Sequence, residues 1–315
     1  MTDLLFSVNV VAPLFLLMTT GYFARKTGFV ASDFLAQMNR FVFQFLLPLM
    51  LFQDIRKTYE GDFSNVRLIL FAVLGVLSVI LISTVAVHLT VRRRGQRGSM
   101  IQGVFRSNFL IYGFPLATAM YGQAAVSNIA MLMAIIIPLY NIAAVVILTL
   151  HSEHNDKKVA VGKLLKDIVT NPLIVGCCFG VVFGALRIEF PNFIEQPVGQ
   201  LAGIATPLAL FVMGGEFRFS RLKRHYGKAV TATVSRLIVI PGIILYICIH
   251  TGFRGAELAV LVSLFATPTA VVSYIMADNM GNDGELAAQI VVLTTVASCV
   301  TIFLIVFILR SLGYL

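Results

Sequence analysis

Ten apolar stretches, at roughly 5–24, 34–53, 67–90, 100–121, 125–149, 165–186, 196–215, 229–250, 257–277 and 286–309, follow one another with short connections between them. A helix of about 20 residues crosses the hydrocarbon of a bilayer, and only helices and closed barrels do so with every backbone group paired. The expected class is therefore an all-α polytopic membrane protein of ten transmembrane helices. A hydrophobic content of 58% against 12% charged residues excludes an ordinary soluble domain. The opening MTDLLFSVNVVAPLFLLMTTGYFA has neither a basic leader region nor a small-residue cleavage site, and it reads as a retained first span.

Two spans carry interruptions. Residues 264–277, LFATPTAVVSYIMA, place Pro268 about eleven residues into the ninth span, a depth of about 16 Å at the helical rise. A proline there has no N–H and clashes with the preceding turn, so the helix breaks, and Thr267, Thr269 and Ser273 are at hand for the freed backbone groups. Residues 106–115, RSNFLIYGFP, form a second irregular stretch in the fourth span, at a similar depth from the opposite end. Two interrupted spans meeting near the midplane mark a transporter site.

The halves repeat. A shift of 159 places Ala12-Pro13-Leu14 on Asn171-Pro172-Leu173, Gly21 on Gly180, Pro48-Leu49-Met50-Leu51-Phe52 on Pro207-Leu208-Ala209-Leu210-Phe211, and Gly122 on Gly281. The same shift lays Asn108 and Phe109 on Thr267 and Pro268, which makes the two interrupted spans counterparts. Five spans per half is an odd number, so the halves, 1–155 and 156–315, lie in opposite orientations. The expected fold is an inverted five-plus-five repeat whose broken helices four and nine cross at the centre.

Basic residues set the orientation. Connections after odd-numbered spans hold fifteen: Arg25, Lys26, Arg92, Arg93, Arg94, Arg97, Lys157, Lys158, Lys163, Lys166, Arg218, Arg221, Lys223, Arg224 and Lys228. The opposite side holds six, Arg56, Lys57, Arg67, Arg187, Arg254 and Arg310, which places both termini outside the cytoplasm. The formal charge of +9 follows from this bias and from attraction to anionic lipid; no aromatic-interleaved basic patch points to nucleic acid.

PLMLF in the second span, SNFLIYGFPLA in the fourth, NPLIVG in the sixth, TPLALFVMGGEF in the seventh and ATPTAVVSYIMADNMGNDGELAAQIVVLTTVAS at the end resemble the auxin efflux carrier family, in its bacterial branch of malate and malonate permease-like proteins. The resemblance covers nearly the whole chain. It implies a scaffold of spans one, two, six and seven, a transport domain of spans three to five and eight to ten, and a homodimer joined through the scaffold in the inner (plasma) membrane. It also implies secondary transport, by efflux or exchange, of small organic anions: auxin in plants, and carboxylates such as malate or malonate in bacteria. Plant members often have a proline beside the fourth-span asparagine, where this chain has Ser107.

The residues themselves agree with an anionic substrate. A broken helix exposes N–H groups and about half a positive charge at the start of its second half. Asn108 offers an amide donor, and Ser107, Thr267 and Thr269 offer hydroxyls; a packing kink is the competing reading of Asn108 and Pro268. Pro115 belongs either to the site or to a simple bend. Arg40, Arg106 and Arg236 lie within spans, about 10–12 Å from an inner end, close enough to snorkel to the interface. Arg106, two residues from Asn108, is the one placed to attract an anion. Asp278, Asp283 and Glu285 follow the ninth span, where a solvated loop competes with a titrating partner.

Other signals point to packing. Gly176, Gly180 and Gly184 repeat as GxxxG, and Cys177, Cys178, Cys248 and Cys299 all lie in spans, fitting neither a disulfide framework nor a metal cluster. His151 and His154 read as a solvated pair, so no metal or cofactor is expected. No Walker loop, dinucleotide fingerprint, HExxH or GxSxG is present, which disfavours an ATP-driven pump or an enzyme. The alternatives to anion efflux or exchange are a sodium-coupled symporter and a transporter-like sensor or intramembrane enzyme.

Overall fold

Runs of leucine, isoleucine and valine favour helix in an apolar setting, and six of the expected spans remain helical over a membrane-crossing length, some through a proline or a π-turn. The computed structural model describes residues 13, 16–58, 65–153, 166, 169–216 and 222–315, without the side chains at 58, 111, 115, 119, 123, 124, 126, 127 and 222–224. The first helical stretch is α1 (16–26). It is followed by α2 (Ser32–Phe41), which runs through a π-turn (Val42–Leu46) into α3 (Leu47–Thr58), and by α4 (Val66–Thr90). Next come α5 (Arg94–Phe105), a π-turn (Phe109–Gly113), α6 (Phe114–Tyr121) and α7 (Gln123–His151). The second half contains α8 (Pro172–Ala185), α9 (Asn192–Gly203), α10 (Ala205–Glu216) and α11 (Leu222–Val234), which continues through a π-turn (Ser235–Val239) into α12 (Ile240–His250). It ends with α13 (Gly255–Phe265), α14 (Val272–Asn279) and α15 (Gly284–Ser311).

Among the described residues six stretches are long and apolar enough to cross a membrane: Ser32–Lys57, Val66–Thr90, Asn128–His151, Asn192–Glu216, His225–His250 and Gly284–Ser311. The other four expected spans fall short for separate reasons. Spans four and nine are divided into pieces of 12 and 8 residues and of 11 and 8 residues. The start of the sixth, and half of the first at 5–24, lie outside the described residues, as do residues 154–165 with His154.

The distribution of side chains is that of a protein in lipid. Leu70, Leu74, Leu77, Leu81, Val85 and Leu89 form an exposed stripe at helical spacing down α4, and Val300, Leu304 and Phe307 do the same on α15. Conversely, every position from 258 to 277 is buried, as is every position from 98 to 109, so the two interrupted segments form the centre of the molecule.

Small residues bring the flanking helices together. A Cβ on Gly180 would sit 2.9 Å from the Phe52 carbonyl, and one on Gly176 would strike the Pro48 carbonyl, so α8 lies directly on α3 as the GxxxG spacing anticipates. Likewise a Cβ on Gly21 would strike the Phe211 carbonyl, and one on Gly214 the Met18 carbonyl, closing α1 on α10. Gly122 (φ 53°) and Gly281 (φ 70°) turn the chain through the left-handed region after each interrupted segment. All four cysteines are free thiols.

Candidate functional site

Both interrupted segments break where the sequence places the irregularity. α5 ends at Phe105, because Arg106 (φ −85°, ψ 102°) is extended and Asn108 (φ −82°, ψ 54°) is also outside the helical region. Ser107 therefore breaks this span without a neighbouring proline. α13 ends at Phe265, and helix resumes only at Val272. The two irregular stretches pair with each other as an antiparallel β-bridge between Ser107 and Thr269, the only β pairing among the described residues. In it the Asn108 amide donates to the Pro268 carbonyl at 2.7 Å and the Ala270 amide donates to the Arg106 carbonyl at 3.1 Å.

This pairing leaves carbonyls of both helix ends without their usual i+4 donors, and side chains meet several of them. The Val104 carbonyl loses the Asn108 amide, and the Leu264 carbonyl never had a donor in Pro268. Arg236 donates to both, from Nη1 to Val104 at 3.4 Å and from Nη2 to Leu264 at 3.2 Å. Its Nε donates to the Thr267 carbonyl at 2.9 Å, and Nη1 also reaches the Phe105 carbonyl at 3.4 Å. Thr269 donates its hydroxyl to the Gly103 carbonyl at 2.6 Å, and Thr267 donates to Ser263 at 2.9 Å. The Thr269 amide finds the Thr294 hydroxyl at 3.2 Å. Thr267 and Thr269 thus hold the break with their hydroxyl protons, as their position beside Pro268 anticipates.

Other site residues are left with capacity to spare. Asn108 is 4% exposed, and its Nδ2 has no hydrogen-bond partner. Ser273, in the first turn of α14, is 1% exposed and its hydroxyl is also unpartnered; it does not serve the freed backbone. Leaving such groups buried and unpaired costs about 1–3 kcal/mol each. Arg106 is buried, donating to Asn141 Oδ1 and Met276 Sδ at 2.7 Å each. Among the described residues no carboxylate lies within ion-pair reach of it. The Ser107 hydroxyl and the Tyr140 hydroxyl share a hydrogen bond of 3.1 Å. Pro115 occupies the first turn of α6, beyond the π-turn and outside the break itself.

Arg40 is exposed, in keeping with a side chain that reaches the interface. Arg236 is not: it is 0% exposed and points into the break, so the snorkelling alternative does not apply to it. Sequence reasoning did not single out this role, although an arginine deep in an apolar span is its one visible signal.

A cavity of about 240 Å³ lies beside α14, lined by Arg25, Glu216, Tyr274, Asp278, Glu285 and Gln289 among others. The residues at the break do not line it. Asp278 is exposed yet accepts from Asn39 Nδ2 at 2.6 Å, and the Tyr274 hydroxyl donates to Glu216, so α14 is tied to α2 and α10 at this end.

The profile of membrane transport proteins matches residues 6–306. A protein of Rhizobium meliloti, provisionally named a malonate transporter, is 24% identical over 309 residues, covering 96% of each chain. An uncharacterized transporter of Methanothermobacter thermautotrophicus is 24% identical over 304 residues, covering 94% of this chain and 96% of its own. Auxin efflux carrier component 5 of Arabidopsis thaliana is 24% identical over 312 residues, covering 87% and 88%. These relatives are transporters and not enzymes. An unbroken match across the apolar spans and both interruptions leaves one conclusion: the chain belongs to the auxin efflux carrier family of membrane transport proteins.

Proposed function

We propose that this protein is a secondary carrier of small organic anions, mono- or dicarboxylates such as malate, malonate or auxin-like acids, which bind where the two interrupted segments meet. The observation that carries this reading is an unpartnered, buried Asn108 amide two residues along the chain from Arg106, a buried cation with no carboxylate in ion-pair reach among the described residues. Asn108 stands at the head of the resumed helix, where the dipole favours negative charge, and Ser273 adds a hydroxyl at the head of α14. A carboxylate would satisfy both orphaned groups and the charge together. Ser107, Thr267, Pro268 and Thr269 form the frame that fixes them, and Pro115 starts the helix beyond.

Alternating access would move spans three to five and eight to ten as an elevator against a scaffold of spans one, two, six and seven. The inverted repeat behind that division is supported by reciprocal contacts. The shift of 159 exchanges Gly21 with Gly180 and Phe52 with Phe211, and Gly21 packs on Phe211 while Gly180 packs on Phe52. Such a swap is what a two-fold relation between halves requires. The left-handed glycines 122 and 281 obey the same shift. Pairing of two copies through the scaffold is part of the proposal, and mass measurement in detergent should give twice the chain mass.

The direct test is a thermal-shift screen of purified protein. Small mono- or dicarboxylates should raise the melting temperature in proportion to the logarithm of their concentration once it exceeds Kd, while the corresponding neutral amides should not. A screen in which no carboxylate stabilises the protein more than chloride does would remove the anion reading.

Orientation in the inner membrane belongs to the same proposal. With fifteen basic residues on one side and six on the other, a C-terminal reporter active only outside the cytoplasm should work, and one inserted at Asn155 should fail. The reverse pattern would exchange the two faces of the site.

A further inference from the structure

Four backbone carbonyls from two helix ends converge on one guanidinium. Val104 and Phe105 close α5, Leu264 lies in the last turn of α13, and Thr267 lies just beyond it. Each helix C-terminus carries about half a negative charge, so the two ends together present roughly one negative unit, equal in size and opposite in sign to the charge of Arg236. In transporters with broken helices such a cluster of unwound carbonyls and helix C-termini is the place that coordinates a coupling cation. Here a covalently attached cation fills it. Among the described residues no carboxylate lies within ion-pair reach of Arg236, so the carbonyls are its only counter-charge.

We propose that Arg236 is a resident cation: it occupies the seat that an exchangeable monovalent cation would take and holds both helix breaks open, so that anion binding needs no metal ion. Four of its five N–H groups are spent on carbonyls. Arg236 is therefore a positioning residue, and Arg106, with donors to spare, is the one available to the anion. This inference rests on the anion-carrier reading for its binding readout, but the chemistry of the seat is testable without it.

Removing the side chain should create a cation requirement. Arg236→Ala should melt at a lower temperature than wild type, and guanidinium chloride at a few millimolar, well below denaturing concentrations, should restore part of the loss. Choline chloride at the same concentration should not, and neither salt should shift wild type. Arg236→Lys, which keeps a charge without the planar fork, should retain carboxylate binding within about tenfold and remain indifferent to sodium. Wild-type affinity for a carboxylate found by the screen should change less than about twofold when sodium is replaced by choline.

Two results would overturn the proposal: wild-type binding that requires sodium, or an Arg236→Ala protein that melts like wild type and ignores guanidinium. If Arg236→Ala does not fold, the Arg236→Lys variant and the wild-type sodium titration decide the matter. If no carboxylate binds at all, the carrier reading fails, while guanidinium-specific recovery of the Arg236→Ala melting temperature still tests the seat.

Discussion

Arg106→Gln should lower carboxylate affinity by about 100-fold or more while leaving the ligand-free protein at least as stable as wild type. The two effects have opposite signs for one physical reason. A buried cation without a counter-ion carries a desolvation penalty of several kcal/mol, and removing it relieves the empty protein. The same cation repays that penalty when an anion arrives, so its loss deprives the bound state of a charge pair worth about 3–5 kcal/mol. Glutamine retains a donor for Asn141 Oδ1, the stronger of the two acceptors that Arg106 now serves. Melting of the ligand-free variant and a carboxylate titration give the two numbers. A variant that unfolds, or that binds as wild type does, would assign Arg106 to structure.

Much of the site was legible because its elements obey local rules. Pro268 cannot donate to Leu264, and Thr267 stands within one turn of the Ser263 carbonyl it meets, so the break in the ninth span follows from the six residues 263–268; Thr269 instead serves Gly103 of the other segment. The break at Arg106–Asn108 carries no proline; it was legible from the polar run Arg106-Ser107-Asn108 inside an apolar span, and the repeat, which lays Asn108 on Thr267, made it the counterpart of the other. The GxxxG face of α8 needed nothing beyond its spacing. In contrast, the role of Arg236 depends on carbonyls 28 to 132 positions away, and no local pattern distinguishes a side chain that snorkels from one that turns inward. The ties of Asn39 to Asp278 and of Tyr274 to Glu216 span 239 and 58 positions, and were invisible for the same reason. Ser273 is expected from the sequence to serve the freed backbone; the β-bridge and Arg236 do that instead, and its hydroxyl has no partner.

The ten-span count illustrates the reverse case. Apolar length alone reads spans four and nine as continuous, yet neither contains a helix long enough to cross a bilayer. Their backbone can be irregular at that depth because it is buried in protein on every side, which is the condition under which a membrane protein tolerates unwound chain.

The central claim is that the meeting of the two breaks holds a substrate carboxylate, and titration of one carboxylate into three variants tests it most directly. Asn108→Ala removes a donor to a charged group and should weaken binding by about 1–3 kcal/mol, or roughly 5- to 150-fold, in a protein that folds normally. Pro268→Ala removes no polar side-chain group. It restores an N–H that can recapture the Leu264 carbonyl from Arg236, draw the ninth segment toward a continuous helix and withdraw the α14 amides from the anion, so affinity and transport should both fall. Leu208→Ala, in α10 and away from the break, is the control; it trims a partly buried contact and should lower the melting temperature without lowering affinity selectively. The account predicts weakened binding in the first two variants and wild-type affinity in the third. Wild-type affinity in Asn108→Ala and Pro268→Ala, with a loss in Leu208→Ala, would contradict it and place the anion elsewhere in the fold.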